Sequence, residues 1–194
     1  MKAYAVSKKH IIFVAVVMIL ALTVGMALVS CSSGESAEDA IRSDITDQLD
    51  PIKNLDQDVV DELTSALEEL DLDDYGLTTD EYLSSLLDGF DYSIDSITVS
   101  DDESTATASV TITCKSFSDA TSLASELSED FVENNDIDDM SDDEYKAEIG
   151  EILMQALDET EATSTTCEFS YTQTDGTWAM TSDTEDEIYN AFFA

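Results

Sequence analysis

Apolar residues in this chain recur first at helical spacing and then at every second position, and that switch happens twice. Ala37, Ile41, Ile45 and Leu49 fall four residues apart up to Pro51, which predicts a helix from about Ala37 to Leu49. Asp56 opens a second helix, preceded by Leu55, which can staple onto Val60, and its stripe continues through Leu63, Leu67 and Leu70. Thr78 and Glu81 have capping-box spacing for a short third helix carrying Leu83, Leu86 and Leu87 and ending at Gly89. Phe90, Tyr92 and Ile94 then alternate with polar residues, and Ile97 and Val99 follow after a one-residue slip that predicts a β-bulge. Past a turn at residues 101–104, Ala106, Ala108, Val110, Ile112 and Cys114 alternate with threonine and serine, the pattern of a hairpin with one buried face.

The helical period returns in Ala120, Leu123, Ala124, Leu127 and Phe131. It returns again behind a Ser141/Glu144 capping box in Tyr145, Ile149, Ile152, Leu153, Ala156 and Leu157. A second hairpin runs through Thr165, Cys167, Phe169 and Tyr171, turns at Asp175-Gly176 and comes back through Trp178 and Met180. A last short helix, with Thr184 and Glu187 as its cap, carries Ile188, Tyr189, Phe192 and Phe193. Helices and antiparallel hairpins in blocks predict an α+β domain in which helices pack on one face of a curved four-stranded sheet.

The first thirty residues follow a different rule. Lys2, Lys8 and Lys9 precede an apolar run from Ile11 to Val29, broken only by Thr23 and Gly25, which is a positive n-region followed by an h-region. The tetrapeptide Leu28-Val29-Ser30-Cys31 resembles the lipobox of bacterial lipoprotein signal peptides. That resemblance implies cleavage between Ser30 and Cys31, diacylglyceryl and palmitoyl lipidation of Cys31, and a cell-membrane protein facing the extracytoplasmic side. The alternative is an uncleaved signal anchor, since the apolar run is long enough to cross a bilayer. The expected organisation is a signal peptide at 1–30, the lipidated Cys31 with a short tether at 31–35, and a single α+β domain at 36–194.

Removing the leader sharpens the charge. The only histidine, His10, leaves with it, and Arg42, Lys53, Lys115 and Lys146 remain against 45 carboxylates, a formal charge of −41. Such a surface repels nucleic acid and anionic lipid head groups, so a nucleic-acid partner is not expected. Without histidine, neither a Ser-His-Asp arrangement nor an imidazole-based zinc site can be assembled. Asp71-Leu72-Asp73-Asp74-Tyr75-Gly76 opens like a calcium-binding EF-hand loop, with aspartate at positions 1 and 3 and glycine at 6. It then places Tyr75 at position 5 and Tyr82 at 12, where oxygen ligands belong, and the acidic cluster at 134–144 lacks the turn glycine. Both are expected to be solvated loops, and no catalytic, cofactor-binding or metal-binding residue is assigned.

The segments FDYSIDSITVSDDESTATASVTITCKSF and FSYTQTDGTWAMTS resemble the sheet region of uncharacterised bacterial lipoproteins of the nuclear transport factor 2-like, or cystatin-like, superfamily, over about residues 79–182. The closing turn Asp175-Gly176-Thr177-Trp178 carries part of the likeness. The resemblance implies a cone whose mouth binds small molecules in some members, a few of them isomerases or dehydratases using Asp, Tyr and His. This chain departs from those enzymes in lacking His and in placing two helices between its hairpins.

Cys114 and Cys167 both fall on apolar strand faces, and in an extracytoplasmic compartment they are a candidate disulfide; the alternative is two buried free thiols. Three function classes stay open. The favoured one is a non-catalytic binding or interaction module with an envelope protein or small molecule as partner. The others are an enzyme pairing a desolvated carboxylate with Tyr92 or Tyr171, and a transport accessory subunit.

Overall fold

A computed structural model describes residues 29–30, 36–67 and 71–193. The expectations for Leu28, for lipidation of Cys31 and for Leu70 therefore lie outside the described residues.

Helix α1 spans Ala37–Lys53. Ser36 caps it by accepting the N–H of Asp39, and Glu38 and Asp39 sit at the positive end of the helix dipole. Its stripe of Ala40, Ile41, Ile45, Leu49 and Ile52 is buried. The helix does not end at Pro51 as expected. The stripe continues to Ile52, whose burial in the core holds the last turn, and a proline there forfeits only one backbone bond. The end comes at Asn54, whose N–H returns to the Asp50 carbonyl.

Leu55, expected as a staple on Val60, takes a left-handed φ of +51 and remains 40% exposed, so it serves the turn into helix α2 (Gln57–Leu67). Helix α3 spans Thr79–Leu86, and both halves of the Thr78/Glu81 capping box are formed.

Strands β2 (Asp91–Val99), β3 (Thr105–Lys115), β4 (Ala162–Thr174) and β5 (Thr177–Met180) form an antiparallel sheet in the order β5-β4-β3-β2. The register of β2 against β3 shifts between Ile94 and Ser96, where the one-residue slip predicts a bulge. A two-residue strand β1, Val29–Ser30, adds to the outer edge of β5, with Val29 opposite Trp178 and Ser30 opposite Thr177.

Between the hairpins lie helices α4 (Phe117–Asn134) and α5 (Asp142–Glu159), the second opened by a complete Ser141/Glu144 capping box. Helix α6 (Asp183–Phe193) packs on β4 and β3. It begins one residue before the expected cap. Thr184 is instead fully buried, and its Oγ1 accepts the N–H of Ser170 at 2.9 Å, tying the helix to β4. The fold is thus α+β, with helices packed on the sheet face that carries Ala108, Val110, Ile112, Phe169, Tyr171 and Trp178.

Candidate functional site

Helix α1 carries one polar residue inside its apolar stripe. Asp44 stands beside Ile41 and Ile45 and is 2% exposed. The inward alternation of β4 delivers Tyr171 to it, and the phenol donates to Asp44 Oδ2 at 2.8 Å. Gln48, one turn further along α1, donates its Nε2 to the same oxygen at 2.9 Å. Asp44 Oδ1 is buried without a hydrogen-bond partner, as are Trp178 Nε1 and Thr181 Oγ1. Burial pushes the Asp44 carboxyl above the usual carboxylate range, against the two hydrogen bonds, and the nearby charge of Asp47 adds to the rise. The Tyr171 phenol is pushed up as well, by burial first and then by the facing carboxylate.

Tyr92, the other tyrosine singled out in the sequence, makes a matching bond two turns along the same helix. Its hydroxyl donates to Asp50 Oδ1 at 2.7 Å, and burial followed by that bond raises its pKa. Lys53 lies 5.6 Å from the centre of the Tyr92 ring and 2.6 Å from Asp91 Oδ1. Both tyrosines thus lock strands to α1. In the inner pair, carboxyl and phenol occupy each other, an arrangement that holds two elements together before it does any chemistry.

A third polar feature lies at the last residue of β3. Lys115 is 5% exposed, and its Nζ donates to the carbonyls of Ser85 at 2.9 Å and Leu157 at 2.8 Å. One cation therefore caps the C-terminal ends of α3 and α5 together, where the helix dipoles favour positive charge. Asp88 Oδ2 stands 4.0 Å away. Above it, an open recess of about 580 Å³ is lined by Asp80, Glu81, Asp88, Met154 and Asp158, among others.

The acidic turn at 71–76 is a docking element. Leu72–Tyr75 form one 3-10 turn between left-handed Asp71 and Gly76, and Asp74 Oδ2 accepts from Lys146 at 2.6 Å. One turn along α5 from Lys146, Gly150 admits the Tyr75 carbonyl so closely that an added Cβ would lie 2.0 Å from that oxygen.

Cys114 and Cys167 are free and buried, the second of the two alternatives open from the sequence. Cys114 pairs across the strands with Thr163, four residues from Cys167, so the two lie about 13 Å apart along β4, beyond disulfide reach. Their thiols donate to different carbonyls of α6, Ala191 at 3.3 Å and Glu187 at 3.5 Å. Asp44, Lys115 and Gly150 were not singled out from the sequence. The signal for Asp44 was present, as a carboxylate three residues after Ile41 and next to Ile45.

No family model matches this chain, and no curated protein matches it. Among solved structures it is similar to one described as a putative lipoprotein (ycdA) from Bacillus subtilis subsp. subtilis str. 168. Identity is 15% and the TM-score 0.43, with 91% of this chain and 56% of that chain covered, so this chain spans little more than half the length of the other. Among the described residues, no helix is long and apolar enough to cross a membrane.

Proposed function

We propose that this chain is a bacterial lipoprotein, held on the extracytoplasmic side of the cell membrane through lipid on Cys31, whose acidic α+β domain acts by binding rather than catalysis. One observation carries the reading: Lys2, Lys8 and Lys9, the apolar run Ile11–Val29 and the Leu28-Val29-Ser30-Cys31 box stand in the order that lipoprotein export requires. The binding role is favoured because the carboxylate–phenol pair of the core is engaged with itself. The experiment is the intact mass of protein extracted from membranes. A mass of residues 31–194 plus diacylglyceryl and acyl groups supports the reading. The mass of the unmodified full chain overturns it in favour of an uncleaved anchor.

The burial of Asp44 and its raised carboxyl pKa favour a second reading, an enzyme of small molecules that uses a desolvated carboxylate. Its test is whether Asp44→Asn abolishes a turnover that the wild type shows. A turnover unchanged by Asp44→Asn would remove it.

A further inference from the structure

The two edges of the sheet are built differently. The outer edge of β2 exposes Asp91 and Asp95 and breaks register between Ile94 and Ser96. Charges and bulges of this kind keep an edge from accepting another strand. β5 reads Thr-Trp-Ala-Met, with no charge, proline or bulge, and what lies along it is β1.

The chemistry of that edge follows from the turn. Asp175 and Gly176, with φ of +54 and +80, form a two-residue turn that closes on the Thr174–Thr177 pair. In such a hairpin Thr177 and Ala179 exchange hydrogen bonds with β4, and the bond from Thr181 N to the Ser170 carbonyl continues the alternation. The backbone N–H and C=O groups of Trp178 and Met180 therefore face outward, and Val29 stands opposite Trp178.

We infer that the outer edge of β5 is a docking edge for an extended basic polypeptide segment of a partner, uncovered when cleavage between Ser30 and Cys31 carries β1 away. The inference rests on the anchor reading above. β1 shows that the edge takes an antiparallel strand, and strand addition draws its affinity from main-chain hydrogen bonds that any extended peptide supplies. Charge selects the partner. The processed chain carries 45 carboxylates and four basic residues, and exposed Asp175 and Asp183 flank the two ends of β5. A second copy brings the same charge and is repelled, whereas alternating basic side chains are attracted.

The test uses protein extracted from membranes, its intact mass measured first. The probe is a capped peptide of alternating lysine and valine, with alternating glutamate and valine as control. Trp178, the only tryptophan, is the fluorescent reporter beside the edge. With a processed mass, the basic peptide is expected to shift Trp178 emission saturably and to slow amide exchange at Trp178 and Met180, while the acidic peptide does neither. Met180→Pro removes an outward N–H and no bond to β4, so it is expected to weaken binding at least about fivefold. A processed mass with no slowing of exchange at Trp178 and Met180 overturns the docking edge and leaves the anchor standing. Binding that Met180→Pro leaves unchanged likewise overturns the docking edge, as general charge attraction. A full-length mass overturns the anchor, and the freed edge with it.

Discussion

The hydroxyl of Tyr171 on β4 reaches Asp44 on α1 across 127 residues of sequence and closes a 2.8 Å hydrogen bond inside the core. Tyr171→Phe leaves the buried Asp44 Oδ2 with only the Gln48 amide. The expected cost is about 1–3 kcal/mol, the usual penalty for orphaning a buried polar group. Urea unfolding followed by Trp178 fluorescence measures it. A loss below a few tenths of a kcal/mol would show that the pair does not hold α1 to the sheet.

The same carboxyl sets a pH dependence. Its folded pKa lies above its unfolded value, so the folded state holds the proton more tightly and the stability gained from it is lost as pH rises through the folded pKa. Stability is therefore expected to fall as pH rises from the ordinary aspartate pKa to the raised folded one, by up to about 1.4 kcal/mol per pH unit for this one proton. In Asp44→Asn that part of the slope is expected to vanish, which unfolding curves of both proteins across the pH range would establish. Parallel slopes would assign the effect to surface carboxylates alone.

Gly150→Ala adds a methyl where the Tyr75 carbonyl sits. Helix propensity favours alanine by about 1 kcal/mol, whereas a backbone atom 2.0 Å from the new carbon cannot yield without shifting the 72–75 turn. Net destabilisation of about 1–3 kcal/mol is expected. Glycine and alanine at this position should differ in thermal midpoint by several degrees.

Burial pushes the Cys114 thiol up to about 12, with Cys167 adding a smaller charge effect, and the Cys167 thiol up to about 11, with Glu187 adding to it. Neither is expected to form thiolate or react with a disulfide reagent in the folded protein, and both are expected to react on unfolding. Reduction should leave the intact mass unchanged. A gain of about 2 Da would reveal a bridge.

Local rules carried far along this sequence. Both capping boxes, the bulge after Ile94 and the Asp175-Gly176 turn were legible because each is specified by residues within a few positions of one another. Pro51 misled because the burial of Ile52, a tertiary effect, outweighs the lost backbone bond. The roles of Asp44, Lys115 and Gly150 depend on partners 127, 30 to 42 and 75 residues away, which no periodicity encodes. Leu28 and Cys31 are legible only as sequence, since they lie outside the described residues.

The placement of the cations has a consequence for the medium. Of the four basic residues beyond the leader, Lys53 and Lys146 are each paired to one aspartate, and Lys115 is spent inside the core on two carbonyls. That leaves dozens of carboxylates for dissolved ions to screen, and added sodium chloride up to about 0.5 M is expected to raise the unfolding midpoint; a falling midpoint would mean the two surface pairs outweigh the repulsion. The surrounding electrolyte is in this sense a structural component, and the domain's stability is a property of the layer of water it inhabits as much as of its own chain.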